Sequence, residues 1–216
     1  PVGRQGLALP TMYESHFKRT LAAEGVPHFH HFYPPRNLLA CLRLWKIVET
    51  APPLFKFAFL NTSWHATIMR RYNSGGGHRP KTNTLYIPAL SSEGRVSKIY
   101  DKKLEDIARF LTSKERPTKR PAITTSTASA LTGLPSEAVD YIFIDPPFGS
   151  NIMYSDLNFL WEGWLGVRTE TTHEAIENHI QEKSVDDYRM LMRQCFSEFY
   201  RILKPGRWMT VEFSNT

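Results

Sequence analysis

The sequence predicts an α/β protein built on a parallel sheet, and three features carry that prediction. Residues 141–144 form a short apolar run typical of a buried parallel strand, and two prolines end it because proline cannot donate to a ladder. Two segments with helical periodicity, 153–165 and 184–204, are expected to flank the sheet. Gly206 is expected to close the second helix and to lead into a strand over residues 208–213.

The size and composition are those of one globular domain. The chain has 216 residues, of which 41% are hydrophobic and 12% aromatic, so a sizeable core is expected. Residues 1–120 form an N-terminal part with a candidate target-recognition region, and residues 121–216 contain the strand that ends in two prolines. Both parts are expected to belong to one compact domain.

Charge, cysteine content and hydropathy indicate the kind of partner, the absence of disulfide or metal sites, and the cellular location. The net charge is +6 and the pI is near 9.4, which favours an anionic partner such as nucleic acid. Cys41 and Cys195 form no C-x-x-C pair, so we expect neither a disulfide framework nor a metal site. The chain has no run of about 18 apolar residues and no visible signal peptide, so we expect a cytoplasmic protein without a membrane partner.

Local patterns predict the elements of the N-terminal part. A helix over residues 11–24 ends at Gly25, and a second helix starts at Pro34 and Pro35 and runs to Glu49 on an approximate apolar stripe. The other predicted elements are a strand over 54–60, a strand over 84–90, a surface helix over 98–116 and an edge strand with its loop over 122–131.

The segment Asp145-Pro146-Pro147-Phe148, called the DPPF segment below, has the chemistry of a binding site. Asp145 stands where a parallel strand ends, and ligands of open α/β sheets bind in the crevice outside those strand ends. Two prolines fix the backbone, so the carboxylate, the proline carbonyls and the Phe148 ring keep one arrangement. Rigid acceptors beside an aromatic face suit a planar base that bears an amine.

The DPPF segment resembles the (D/N/S)-P-P-(Y/F) motif of amino methyltransferases, which methylate exocyclic amines of DNA bases with S-adenosylmethionine. The following residues 149–157 and the later 200–207, Tyr-Arg-Ile-Leu-Lys-Pro-Gly-Arg, fall where such enzymes place a helix and the next strand. Residues 32–40, Phe-Tyr-Pro-Pro-Arg-Asn-Leu-Leu-Ala, are similar to the F-x-P-R-(Q/N)-L-L-A segment of large adenine-specific DNA methylases that often carry a zinc ribbon. Together the similar segments cover most of residues 28–216.

This resemblance implies a Rossmann-like methyltransferase sheet that binds S-adenosylmethionine and acts on DNA. It assigns the catalytic role to Asp145, Pro146, Pro147 and Phe148. The Asp145 carboxylate and the Pro146 carbonyl would accept the two protons of the target amine, and Phe148 would stack on a base that has left the duplex. If Phe148 did not follow Asp-Pro-Pro, the preferred interpretation would be a core residue that caps the sheet.

The resemblance also implies contacts to the cofactor. These are assigned to Asp145, to Arg36 and Asn37 at the start of a helix whose N-terminus favours anions, and to Thr127 in the segment before the catalytic strand. An equally good interpretation of Arg36 is an ion pair with an acid that holds the helix in place. Ser129 is the alternative to Thr127, and no acid stands in that segment.

The glycine-rich cofactor turn of the family, which resembles D-P-F-x-G-S-G-T, has no counterpart in the 216 residues. The cluster Gly75-Gly76-Gly77 lies between basic residues and lacks a strand–turn–helix context, so we interpret it as a flexible basic loop. The chain begins at Pro1 and ends just after the strand over 208–213. We therefore expect an incomplete sheet, with the turn supplied by the rest of a longer polypeptide or by a partner subunit.

Two basic segments are candidates for contact with nucleic acid. Arg70, Arg71 and Arg79 flank the glycine loop and are predicted to reach phosphates, against the alternative of a solvated loop with incidental charges. The cluster His28, His30 and His31 is interpreted as a local structural element or a DNA-facing loop rather than a metal site.

Three functions remain open on the sequence. The first is methylation of a DNA base amine, with adenine N6 favoured over cytosine N4. The second is methylation of an RNA base amine, since such enzymes share the four-residue motif. The third is a catalytically silent DNA-binding module of a restriction or defence assembly, which the missing cofactor turn favours.

Overall fold

The computed structural model describes residues 25–80, 85–113, 121–150, 152–179 and 181–213. These residues form a mixed α/β protein with five α-helices and a two-stranded parallel sheet. The helices are α1 (Pro35–Val48), α2 (Pro53–His65), α3 (Val96–Thr112), α4 (Tyr154–Leu165) and α5 (Val185–Ile202). The strands are β1 (Val139–Ile144) and β2 (Leu203–Val211), and a short 3-10 helix spans Phe29–Phe32. None of the described helices is long and apolar enough to cross a membrane.

Contacts divide the chain into two compact units. Unit 1 comprises residues 1–120 and 156–169, and unit 2 comprises residues 121–155 and 170–216. Unit 1 is helical and packs around Trp164, which is fully buried and contacts the rings of Phe29, Phe59 and Trp45. The indole N–H of Trp164 donates to the Tyr33 hydroxyl at 2.9 Å, so the polar atom of this buried ring is satisfied.

Unit 2 contains the parallel sheet. In its regular part Tyr141 lies opposite Trp208, Ile142 opposite Met209 and Phe143 opposite Thr210. Because side chains alternate along a strand, Tyr141, Phe143 and Trp208 lie on one face. The hydroxyl contact of 2.5 Å between Tyr141 and Thr210 agrees with that placement. These three aromatic rings are 54%, 59% and 79% exposed, whereas Ile142 on the opposite face is buried.

Several sequence predictions are confirmed. The helices predicted from Pro35 to Glu49 and over 98–116, 153–165 and 184–204 correspond to α1, α3, α4 and α5. Proline stands in the first turn of α1, where its missing N–H costs nothing. A capping box at Ser184 fixes the start of α5: its hydroxyl accepts from the Asp187 N–H, and the Asp187 carboxylate accepts from the Ser184 N–H. The helix predicted over 11–24 lies outside the described residues.

The strand predicted over residues 54–60 is wrong, because this segment is the first half of α2. Its aromatic residues alternate, yet the side chains buried on α2 are Ala58, Phe59, Thr62 and Ser63, which follow the helical spacing. Proline at the first helical position and a helix that continues to His65 explain the difference.

Four further predictions need correction. Residues 85–90 of the predicted strand 84–90 and the segment 122–131 form no strand. Gly206 does not close a helix, because α5 ends at Ile202 and Gly206 lies within β2 with φ of +70°. It falls where the register shifts between Val139 and Tyr141, and glycine suits that irregularity because it adopts positive φ without strain. The apolar run 141–144 is buried only at Ile142.

Candidate functional site

The DPPF segment follows β1 directly, at the carboxyl end of a parallel strand. The last ladder bond runs from the Glu212 N–H to the Ile144 carbonyl at 2.9 Å, so the prolines begin where pairing with β2 ends. Asp145 is exposed, and within the described residues its carboxylate makes no hydrogen bond or ion pair. The structure thus presents a carboxylate at the strand end where the sequence predicted one.

Two aromatic side chains hold the segment. The Tyr188 hydroxyl, on the first turns of α5, donates to the Pro147 carbonyl at 2.7 Å. The Phe148 ring meets the Phe213 ring edge to face, with the centroids 5.3 Å apart. Phe148 is therefore half-buried against the end of β2 and fixed in position, while the Pro146 carbonyl has no hydrogen bond within the described residues. The acceptors predicted for an amine are present at one fixed turn.

Residues 170–179 and 181–184 belong to a loop that packs on the residues just after the DPPF segment. The Glu174 carboxylate accepts from the N–H and the hydroxyl of Ser155 at 3.0 and 2.7 Å. The Lys183 ammonium donates to the carbonyls of Thr171 and Glu174 at 2.5 and 2.6 Å. The Glu177 N–H donates to the Gly149 carbonyl at 3.1 Å. These polar contacts hold a long loop without regular structure in one conformation.

A cavity of about 520 Å³ lies between this loop and the residues after Phe148. Its lining residues are polar apart from one thioether: Ser150, Met153, Glu177, Asn178, His179, Glu182, Lys183 and Ser184. The Asn178 amide donates to the Met153 sulfur at 3.0 Å, which fixes that wall. Desolvation lowers the pKa of Lys183, although carbonyl oxygens surround its ammonium.

The two residues predicted for the cofactor at the start of α1 have structural partners in unit 1. Arg36 forms an ion pair with Glu93, which is the alternative interpretation that the sequence left open. Asn37 is 3% exposed, and its amide donates to the Ala66 carbonyl at 3.0 Å, just after α2 ends. That bond satisfies a carbonyl at a helix C-terminus. Cofactor contacts by Arg36 and Asn37 stay predictions.

Thr127 lies in the loop before β1, in unit 2. Its hydroxyl is 2.8 Å from the Ser129 hydroxyl and accepts from the Ser129 N–H at 3.3 Å, so the two residues that the sequence could not separate form one local turn. Arg201 at the end of α5 holds the next part of the loop, because it donates to the carbonyls of Leu131 and Leu134 at 3.0 Å. Among the described residues, no hydrogen bond joins Thr127 to the DPPF segment.

The three predicted nucleic-acid contacts of unit 1 lie on paired segments. The Arg71 N–H donates to the Arg79 carbonyl at 3.4 Å, and a bridge pairs Arg71 with Ser91. Arg71 and Arg79 are exposed. Arg70 differs from them: its Nε donates to the Ser92 hydroxyl at 3.2 Å, and its guanidinium packs on Gly94, where a Cβ would stand 2.3 Å from Nη1.

Further positive charge gathers beside these arginines. Burial first, and then the nearby charges of Lys103, Arg70 and Arg79, lower the pKa of His65, at the end of α2, to about 4. His65 is therefore neutral at pH 7. Cations from α3 and from the paired segments surround one histidine, which makes this side of unit 1 electropositive. The proximity of Lys103 and His65 to the arginines could not be predicted from the sequence, because it depends on the helix packing.

The histidine cluster is a stack of rings on the 3-10 helix. The centroids of His30 and His31 are 4.0 Å apart, and the His28 ring lies 5.7 and 5.5 Å from them. Desolvation, and then the neighbouring charges of His30 and His28, lower the pKa of His31. Among the residues that the structure describes, no group of His, Cys, Asp and Glu has the arrangement of a metal site.

Sequence reasoning missed the groups that shape the cavity and clamp the prolines. Tyr188 lies at helical spacing on the apolar stripe of α5, and that spacing was the one available signal. Glu174, Glu177 and Lys183 lie in an aperiodic segment, so no pattern marked them. Comparison of the chain with protein-family models, with curated proteins and with solved structures found no match.

Proposed function

We propose that the chain is the base-binding part of an S-adenosylmethionine-dependent methyltransferase that acts on an exocyclic amine of a DNA base, adenine N6 before cytosine N4. The observation that carries the proposal is the DPPF segment itself. It stands at the carboxyl end of a parallel strand, with an exposed Asp145 carboxylate and a Pro147 carbonyl clamped by Tyr188.

The chemistry follows from what an amine of this kind needs. Its lone pair is delocalised into the ring, so it is a poor nucleophile. Asp145 accepts one amine proton and the Pro146 carbonyl accepts the other, which favours a pyramidal nitrogen with a localised lone pair. The two prolines and the Tyr188 hydrogen bond fix the backbone that carries these acceptors before the substrate arrives, and preorganised acceptors of this type contribute on the order of 10²–10³-fold in rate.

Phe148 supplies an aromatic face for the extruded base. Its ring is fixed edge to face by Phe213, so it does not have to be ordered when the base arrives. Stacking of a base on an aromatic side chain contributes about 1–3 kcal/mol. The base has to leave the duplex for the DPPF segment to reach its amine.

S-adenosylmethionine, when bound, supplies the methyl group as a sulfonium electrophile. The described residues contain no glycine-rich turn at a helix start: Gly75, Gly76 and Gly77 lie in the turn between paired segments, and Arg36 and Asn37 already have partners within the protein. A further polypeptide segment or a partner subunit therefore supplies the glycine-rich turn in this proposal.

The open sheet supports a partner of that kind. Parallel strands occur almost only in sheets with both faces covered, and β1 pairs with β2 alone among the described strands. Tyr141, Phe143 and Trp208 form an exposed aromatic face on that sheet. A Rossmann-like sheet completed by further strands and helices would cover it.

Contact with the DNA backbone is proposed for the electropositive side of unit 1. Arg71 and Arg79 are exposed. Lys103 and Arg70 add positive charge to the same surface near His65, which is neutral at pH 7. The same surface favours a second function, a DNA-binding module without catalysis, because it needs no cofactor turn.

Product analysis tests the proposal. The complete protein, including the segment that supplies the cofactor turn, is incubated with duplex DNA and S-adenosylmethionine, and the digested nucleosides are separated by mass spectrometry. We expect N6-methyl-2′-deoxyadenosine, or N4-methyl-2′-deoxycytidine as the second choice. Duplex RNA is the parallel substrate. DNA that is bound but carries no methylated amine would establish the binding module instead.

A further inference from the structure

We propose that the cavity beside the DPPF segment, called the Glu177 cavity below, is a nucleobase-binding site in which Glu177 and Glu182 accept N–H groups of the base edge. It deepens the proposed function and rests on it, because the base bound there belongs to the same nucleic acid.

The position of the cavity is the first reason. Glu177 donates its N–H to the Gly149 carbonyl, and its carboxylate Oε2 lies 4.0 Å from where a Cβ of Gly149 would stand. Gly149 immediately follows Phe148. A second carboxylate therefore lies next to the DPPF segment, and both groups belong to unit 2.

The walls of the cavity are rigid, which is the second reason. The polar groups of Asn178, Lys183 and Ser184 are used within the protein: the amide on Met153, the ammonium on two carbonyls and the hydroxyl on Asp187. An antiparallel bridge also pairs Asn178 with Lys183. Because these groups are engaged, ligand binding does not have to order them, and a preformed site of this kind loses little entropy when it is filled.

The carboxylates of Glu177 and Glu182, in contrast to these engaged groups, are available to a ligand. Within the described residues, neither Glu177 nor Glu182 has a hydrogen bond or an ion pair through its side chain. Glu182 also has a φ of +54°, which a residue with a Cβ adopts only at a cost. Strained residues of this type persist only where the surrounding structure holds them, and they cluster at functional sites.

The lining selects the chemistry of the ligand. Two carboxylates repel a phosphate, so the cavity does not fit the DNA backbone. They accept N–H groups, and carboxylates read bases through such donors, as in a glutamate that accepts from cytosine N4. The Met153 thioether adds a polarizable surface for a ring. A volume of about 520 Å³ accommodates a nucleoside.

Methionine methyl resonances provide the test. The protein carries six methionines, and among those that the structure describes Met153 alone lines the Glu177 cavity. With methyl-13C methionine, titration of guanosine, cytidine and adenosine is expected to shift and saturate the Met153 signal while the signals elsewhere stay in place. Ribose 5-phosphate, which has no base, is expected to leave Met153 unchanged.

Substitutions at the glutamates separate recognition from folding. Glu177→Gln and Glu182→Gly are expected to weaken nucleoside binding about tenfold each, because a hydrogen bond to a charged acceptor is lost. Glu182→Gly also removes the strained φ, so the variant keeps its fold. Glu105→Gln, an exposed glutamate of α3 in unit 1, is the matched control and is expected to bind like the parent chain.

The outcomes distinguish this inference from the proposed function. A Met153 signal that no nucleoside moves, or that ribose 5-phosphate moves equally, overturns the cavity assignment even if the complete protein methylates DNA. Nucleoside binding that is unaffected by both glutamate substitutions overturns it as well. Saturable, glutamate-dependent shifts support the cavity even if product analysis finds no methylated amine, and in that case only the catalytic proposal fails.

Discussion

Unit 1 and unit 2 differ in the burial of their aromatic side chains. Unit 1 buries Trp164, Phe29 and Phe59 against one another, so its core closes with its own side chains. Unit 2 leaves Tyr141, Phe143 and Trp208 exposed on one face of a two-stranded sheet. Large apolar faces in contact with water mark interaction surfaces. The difference assigns the closed core to unit 1. In our proposal, unit 2 carries the base chemistry and the contact with the polypeptide that completes the sheet.

Two tryptophans give the largest contrast. Trp164→Ala should cost about 3–5 kcal/mol of unfolding free energy, because the indole is fully buried and bonded to Tyr33. Trp208→Ala should cost less than about 0.5 kcal/mol, because that side chain is 79% exposed. Urea denaturation of the two variants, followed by circular dichroism, measures both. Equal losses would mean that the face of the sheet is covered within this chain.

Two glycines allow the packing of unit 1 and unit 2 to be compared in the same way. A Cβ at Gly163 in α4 would lie 2.4 Å from the Phe29 ring, whereas a Cβ at Gly133 in unit 2 meets nothing within 4 Å. Gly163→Ala should therefore destabilise the chain by about 1–3 kcal/mol, although alanine favours a helix. Gly133→Ala should change the unfolding free energy by less than about 0.5 kcal/mol. A thermal denaturation series compares the pair, and a stable Gly163→Ala variant would show that the Phe29 ring has room to move.

The proposed DNA contact of unit 1 is tested by salt dependence. Arg71→Ala combined with Arg79→Ala should lower the slope of log affinity against log salt by about two, close to one unit for each lost phosphate contact. Arg70 is left in place because it also holds Ser92 and packs on Gly94. Arg109→Ala is the control, since its guanidinium already pairs with Asp106. An unchanged slope in the double variant would move the contact to another surface.

The smallest predicted effect concerns pH. The folded pKa of His65 is about 4, below the ordinary value of 6.5, so the unfolded chain binds more protons between these values. Stability that His65 contributes is therefore present above pH 6.5 and lost as pH falls toward 4. In urea denaturation at pH 7 and pH 5, His65→Gln should lose less stability than the parent chain over this interval. The same pH dependence in both proteins would show that His65 does not titrate as its surroundings indicate.

The sequence anticipated the elements that have strong local signals. The apolar stripes and boundary residues of α1, α3 and α5 placed these helices, and the apolar run 141–144 with its prolines located β1 and the exposed Asp145. Residues 54–60 were misassigned because aromatic residues occupy both faces of α2 and imitate the alternation of a strand. The Pro52-Pro53 pair was the better signal, since proline is favoured in the first turn of a helix.

The parts that sequence reasoning could not find depend on contacts between distant residues. Glu174 holds Ser155, Tyr188 clamps Pro147, and Glu177 reaches Gly149, and none of these pairs has a fixed spacing that a pattern would reveal. The burial of Asn37 on the Ala66 carbonyl is of the same kind. Polar residues in aperiodic segments acquire partners only when the chain has folded, so their roles are read from the structure.

The rate of methyl transfer by Asp145 variants is the most direct test of the central claim that this carboxylate activates a base amine. Asp145→Ala and Asp145→Asn in the complete protein should lose about 10²–10³-fold in rate on duplex DNA with tritiated S-adenosylmethionine, at unchanged stability because the side chain is exposed. Asp140→Asn is the matched control, because Asp140 is an exposed carboxylate of the same strand that pairs with Lys204. Activity of both Asp145 variants within a few-fold of the parent protein would contradict the account.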